Sequence, residues 1–271
     1  MIRICIAGAT GWVGRSLVPA IVAAPDLELV GAVSRTAQGK TLGEALGIPD
    51  LPLRVSGTVA EALAVATDVL IDYTSPESVK ANVHLAIDRK VHVVLGTSGL
   101  DDKDFAAIDE AAQHHGVGVL AAGNFAISAV LLQHFAAITA RYMPSWEVID
   151  YSDAGKPDAP SGTTREIVHR LSKVRAPEVA IPIGETQGFP AARGLTLNGT
   201  QIHSIRLPGF VIAAEVIFGK PNERLSLRYD GGSGAEPYVD GTLLAARRVD
   251  GFVGLRRGLD QVLDLQVHQM A

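Results

Sequence analysis

Ile2-Arg-Ile-Cys-Ile-Ala7 runs straight into Gly8-Ala-Thr-Gly11-Trp-Val-Gly14. A short apolar run breaks at Gly8, and a helix is expected from Trp12 to Ala24. Gly8 permits a tight turn, Gly11 lets the backbone approach a pyrophosphate, and Gly14 lets the helix pack closely on the strand. The start of that helix offers N–H groups and a positive dipole end to an anion. The glycine pattern alone is weak. Its place between a strand and a helix makes it a dinucleotide site, against the plainer reading of a structural turn.

The same rhythm continues outward. Apolar runs at 27–33, 68–73, 91–95 and 117–121 alternate with helical segments from Pro76 and over 102–115. Such alternation gives βαβ units and a parallel sheet. Pro76 suits a first helical turn and Asp101 a helix cap. After Asn124 the texture changes. A long helix is expected over 126–142, a strand over 146–151, a loop from Ser152 to Ser161 and a helix from Gly162. Three β-rich runs (200–206, 211–218, 223–229) read as an antiparallel, open sheet, and helix returns over 241–249. The expected fold class is α/β: a Rossmann-like parallel-sheet domain (1–125 and 240–271) plus an α+β substrate and oligomerisation domain with an open mixed sheet (126–239).

The chain has 271 residues, 47% apolar and 20% charged, enough to bury a core without staples. With a net charge of −5 and no basic cluster, nucleic acid is not an expected partner. The single cysteine, Cys5, sits in the first apolar run and reads as a core thiol. No apolar stretch is long enough to span a bilayer, and Ile2 already begins the first strand, so the expected compartment is the cytoplasm. The eight histidines show no metal-ligand spacing. His114 and His115 end a helix, where cations suit the dipole, and His134 reads as a core or interface residue.

The end of the second strand selects the cofactor. Ser34-Arg35-Thr36, with Lys40 nearby, replaces the acidic residue that would hold a ribose hydroxyl and repel a 2′-phosphate. NADPH is therefore the expected preference, with NADH possible; the alternative is that Arg35 stacks on adenine without discriminating.

Three further landmarks end parallel strands: Asp72-Tyr-Thr-Ser-Pro-Glu77, Gly96-Thr-Ser-Gly99 and Gly123-Asn-Phe125. They are followed by Lys156-Pro-Asp-Ala-Pro-Ser-Gly-Thr163. Together with Ile202–Arg206 and Glu215–Phe218, these segments resemble the dihydrodipicolinate reductase family over nearly the whole length. The resemblance implies a cofactor site at Gly8, Ala9, Thr10, Gly11, Trp12, Val13, Ser34, Arg35, Thr74, Gly96, Thr97, Ser98, Ala122, Gly123, Asn124 and Phe125. It implies substrate contacts at Ser161, Gly162 and Thr163, with Lys156 as proton donor to a small carboxylated, imine-like substrate, and a homotetramer. His203 matches a family histidine. Arg193 and Arg206 are in reach of a substrate, although surface ion pairs are commoner.

The sequence also departs from the family. The histidine-rich run before the lysine is here Tyr151-Ser152-Asp153-Ala154-Gly155. Ser152 takes the catalytic-histidine position and Asp153 the neighbouring substrate contact, where its charge would repel a dicarboxylate. Asp230-Gly-Gly-Ser-Gly234 lacks the basic residue usual there. The reading that follows is a divergent NAD(P)H-dependent reductase of another imine-like or unsaturated carboxylate. The alternatives are an ordinary 4-hydroxy-tetrahydrodipicolinate reductase of lysine and diaminopimelate biosynthesis, or a catalytically weak cofactor-binding regulator.

Overall fold

β1 (Ile2–Ala7) has a parallel neighbour on each side, and that placement organises the first half of the chain. The structure is a computed structural model that describes residues 1–265. It divides into two compact units, Met1–Ile127 with the chain from Ala235 onward, and Ser128–Gly234. Residues 266–271 of the expected first domain lie outside the described residues.

In the first unit the elements after β1 are α1 (Gly14–Ala23), β2 (Leu27–Val33), α2 (Leu42–Leu46), β3 (Val55–Ser56), α3 (Val59–Ala62), β4 (Val69–Asp72), α4 (Pro76–Asp88), β5 (His92–Leu95), α5 (Asp102–His115) and β6 (Gly118–Ala121). In the second follow α6 (Ile127–Thr139), β7 (Ser145–Ser152), α7 (Gly162–Val174), β8 (Leu195–Leu197), β9 (Thr200–Arg206), β10 (Ile212–Lys220) and β11 (Glu223–Gly231). The chain then returns to the first unit with α8 (Glu236–Arg248) and β12 (Gly254–Arg257).

The first sheet has the order β12-β6-β5-β4-β1-β2-β3, with every pairing parallel. The chain builds outward from β1 to β3, then crosses to the other side of β1 and builds from β4 to β12. The reversal lies between β1 and β4, where an open α/β sheet leaves a crevice at its strand ends. All residues of β4 and β6 are buried, as expected of strands covered on both faces. Cys5 has no exposed surface, and burial pushes its thiol up to about 12. α5 is capped by Asp101, which accepts from Lys103 N and Asp104 N at 2.9 Å, and His114 and His115 lie in its last turn.

Several boundaries differ from the sequence reading. α1 starts at Gly14 rather than Trp12, because Gly8 to Gly14 is consumed by the turn. α6 ends at Thr139, short of Tyr142. α8 begins at Glu236 rather than Gly241; Pro237 sits in its first turn, where the missing N–H costs nothing. The short elements α2, β3, α3 and β8, and the edge strand β12, carry too few residues for a periodic signal.

The second sheet has the order β11-β10-β7-β9-β8. It is the mixed sheet expected, but the last three runs are not all neighbours, as the antiparallel reading of them required. β9 does not pair with β10; β7 lies between them, parallel to β9 and antiparallel to β10. Trp146, Val148, Asp150 and Ser152 alternate onto the buried face of β7. α7 packs on β7 and buries Thr164, Ile167, Val168 and Leu171, a one-face helical spacing.

One close contact gives a test of the first unit. A Cβ on Gly241 would stand 1.9 Å from Phe125 O. Helix propensity favours alanine by about 1 kcal/mol, but the clash is with backbone and outweighs it. Gly241→Ala is expected to lower stability by about 1–3 kcal/mol, the usual cost of overpacking, as read by urea unfolding.

Candidate active site

The turn after β1 is held against the end of β4 by the lack of side chains. Gly8 has φ 88°, and a Cβ there would lie 2.1 Å from Tyr73 O. A Cβ on Gly14 would lie 2.2 Å from Gly8 O. Beside this turn is a cavity of about 380 Å³. Of the residues expected to hold a cofactor, Gly8, Thr10, Gly11, Ser34, Arg35 and Thr74 line it. Thr10 Oγ1 and Ser34 Oγ are 2.6 Å apart, tying the glycine turn to the end of β2. Arg35 and Thr36 are exposed at the rim. Ala9 and Val13 turn into the core. Trp12 is exposed and packs edge-on against Tyr238, with ring centroids 5.5 Å apart.

Asp72 organises the loops on the other side of β1. It has no exposed surface. Its Oδ1 accepts from Thr74 N at 3.0 Å, Thr74 Oγ1 at 2.7 Å and Thr97 Oγ1 at 2.7 Å. Its Oδ2 accepts from Asn82 Nδ2 at 2.9 Å. The expected residues Thr74 and Thr97 are thus joined by one carboxylate. Gly96 admits the Tyr73 ring, which would be 2.2 Å from a Cβ there. Tyr73 Oη is 2.8 Å from Thr242 Oγ1, its ring meets Phe125 edge-on at 5.9 Å, and burial pushes the phenol up. Asn124 is buried and its Oδ1 accepts from Ala126 N at 2.8 Å. Ala122 is half-buried, while Gly123 and Ser98 are exposed. The glycine turn, the hydroxyls and Arg35 at the rim fit a phosphate-bearing dinucleotide. Thr36 and Tyr73, from two of the motifs quoted above, also line the cavity, as do Thr58 and Asn82, which no motif marked.

The second unit carries the other expected residues on one loop and helix start. Lys156 Nζ lies 2.7 Å from Asp158 Oδ1, with its side chain one-third exposed. The Lys156 hydrogen bond holds the Asp158 carboxyl below the usual carboxylate range. Asp153 is exposed, and its Oδ1 accepts from Gly155 N at 2.8 Å. Ser152, at the family's histidine position, is wholly buried and donates to Val211 O at 2.9 Å. Ser161 caps α7, accepting from Thr164 N at 3.3 Å. Gly162 is exposed and Thr163 half-buried in the first turn of that helix.

Beneath the loop lies Asp150, which sequence reasoning did not single out. It has no exposed surface and accepts from Ser161 N, Thr164 Oγ1, Ser204 Oγ and Arg206 Nη2 at 2.9, 3.0, 3.1 and 2.8 Å. Burial alone would raise its carboxyl, but Arg206 and the hydroxyls outweigh that and hold it below the ordinary value. Arg206 Nη2 also donates to Asp158 O at 2.7 Å. His203 and Arg193 both pair with Glu147, His203 Nε2 at 2.7 Å.

Among the described residues no group of three or more His, Cys, Asp or Glu could hold a metal, and no helix is long and apolar enough to cross a membrane. Two family models match the chain: dihydrodipicolinate reductase N-terminus over residues 2–125, and dihydrodipicolinate reductase C-terminus over residues 128–263. The chain is 38% identical to 4-hydroxy-tetrahydrodipicolinate reductase of Desulfitobacterium hafniense (strain DSM 10664 / DCB-2), over 97% of this chain and 99% of that protein. It is 35% identical to the enzyme of the same name from Halalkalibacterium halodurans, over 97% of this chain and 100% of that protein. The solved structure of dipicolinate-bound dihydrodipicolinate reductase from Paenisporosarcina sp. TG-14 superposes with a TM-score of 0.86 at 30% identity, over 97% of this chain and 100% of that one. Both halves of the chain are matched and its full-length relatives carry one name, so the chain belongs to the dihydrodipicolinate reductase family of NAD(P)H-dependent oxidoreductases.

Proposed function

We propose that this protein is a 4-hydroxy-tetrahydrodipicolinate reductase that prefers NADPH. The observation that carries the reading is the segment from Lys156 to Thr163, which keeps a cation and a capped helix start within one short loop. Backbone N–H groups of Gly162 and Thr163 hold a substrate carboxylate, as helix starts do for anions. The first unit binds the dinucleotide through the glycine turn, Arg35 and the loops joined at Asp72; the second binds the substrate. When bound, the reduced nicotinamide supplies a hydride to an electrophilic carbon of the cyclic, imine-like substrate. The 4-hydroxyl of the substrate would leave as water to give the conjugated unsaturated bond that is reduced, and the electron pair displaced from that bond would take a proton from Lys156, leaving a saturated ring carbon.

A second reading rests on Ser152 and Asp153. The Ser152 hydroxyl is spent on Val211 O, so that position offers no acid or base. Asp153 places a carboxylate three residues before Lys156, and it would oppose a dicarboxylate. These two favour a less anionic imine or unsaturated carboxylate.

One assay separates the readings. With 4-hydroxy-tetrahydrodipicolinate, NADPH oxidation is expected with kcat/KM above ~10⁴ M⁻¹s⁻¹, an ordinary enzyme value. An efficiency orders of magnitude lower, raised by Asp153→Asn, establishes the second reading instead. Arg35→Ala is expected to raise KM for NADPH ~10–100-fold, the worth of a charge-assisted hydrogen bond, with KM for NADH little changed; equal KM values in the unmodified protein would refute the preference. Lys156→Ala is expected to lower kcat ~10²–10⁴-fold while leaving the cofactor dissociation constant unchanged.

A further inference from the structure

We propose that Asp150 is a positioning residue, with Arg206 as its intermediary, that presets the loop and helix start where the substrate carboxylate binds. The inference rests on the reading of Lys156, Gly162 and Thr163 as the substrate site.

A buried carboxylate is costly unless charged and hydrogen-bonding partners surround it. Asp150 has such partners, and where they come from is informative. Ser161 N and Thr164 Oγ1 belong to the cap of α7. Arg206 Nη2 reaches Asp150 Oδ2 and, with the same nitrogen, Asp158 O, two residues from Lys156. Ser204 Oγ completes the shell from β9. One side chain on β7 therefore pins the loop near Lys156 through Arg206 and pins its far end at Ser161 directly. Arg206 balances the charge of Asp150, so the cap is held without net negative charge beneath the anion site. Asp150 touches neither substrate nor cofactor in this scheme; it fixes the groups that do.

The substitutions separate geometry from charge. In Asp150→Asn the amide oxygen can take the place of Oδ2, accepting from Ser161 N, Ser204 Oγ and Arg206, while the amide nitrogen donates to Thr164 Oγ1. In Asp150→Ala both ties are gone. Hydrogen–deuterium exchange of peptides spanning residues 156–164, without ligand, is expected to quicken ~10-fold or more in Asp150→Ala and much less in Asp150→Asn. KM for 4-hydroxy-tetrahydrodipicolinate and the dissociation constant of dipicolinate are expected to rise ~10-fold or more in Asp150→Ala, since small misplacements of a binding group are costly. Asp150→Asn recovers most of that loss, and the NADPH dissociation constant stays unchanged in both. Unchanged exchange in Asp150→Ala, or quickened exchange with unchanged KM, overturns the proposal. If Asp150→Ala does not fold, Thr164→Val removes the Oδ1 tie, together with the Ser161 Oγ bond to the same hydroxyl, and leaves the Oδ2 ties in place; it is expected to shift exchange and KM the same way by less, and no shift in it overturns the proposal equally. If the unmodified protein binds neither 4-hydroxy-tetrahydrodipicolinate nor dipicolinate, the substrate reading falls and the exchange data alone decide the role of Asp150.

Discussion

The carbonyl of Tyr73 stands where any side chain on Gly8 would have to begin, 2.1 Å from the position of its Cβ. That contact presses the turn after β1 onto the end of β4, at the one place where the strand order of the first sheet reverses. Gly14 then lets α1 start directly over the turn. The rest of the crevice follows from this pinch. Asp72, one residue before Tyr73, is left beneath the strand ends with a buried carboxylate. It meets that burden by collecting the loops after β4 and β5. The glycine turn and the loops facing it are thus set by adjacent residues of one strand end.

What the sequence disclosed follows from how locally each feature is encoded. The parallel half was legible because buried strands write continuous apolar runs and their crossover helices write caps; Asp101 and Pro76 mark helix starts within a few residues of the evidence for them. The glycine turn was legible for the same reason. The second sheet was less so. A strand's own pattern says that it is a strand, not which neighbour it takes. The parallel pairing of β7 with β9 joins residues more than fifty positions apart. Elements of two to five residues such as β3, α3 and α2 fall below any period.

The candidate site shows the same division more sharply. Lys156, Gly162 and Thr163 lie within one string of sequence and were found as a string. Asp72 headed a landmark without being given a role and Asp150 was not marked at all, because a buried, fully bonded aspartate has the same letter as a solvated one. The partners that distinguish them lie 25 residues away for Thr97 and 56 for Arg206. Ser152 is a third instance. Its position suggested a replacement acid or base, and only the hydrogen bond to Val211, 59 residues on, shows where its hydroxyl goes.

The departure at Ser152 and Asp153 is compatible with the proposed anion site because neither side chain is among the supports of the α7 cap. Ser152 fastens the end of β7 to the segment before β10, and Asp153 closes a turn on Gly155 N. The Lys156 turn and the cap of α7 hang instead from Asp150, Arg206 and Ser161, on the face of β7 shared with Ser152 but through separate bonds. Removing an acid or base from position 152 therefore subtracts a chemical group without loosening the geometry proposed to bind a carboxylate. General acid–base assistance is worth ~10²–10⁴-fold in rate, whereas a mispositioned binding group lowers both binding and rate. Substitution at 152 and 153 with the loop's supports intact thus changes how fast, or on which carboxylate, the site works before it changes whether it binds one.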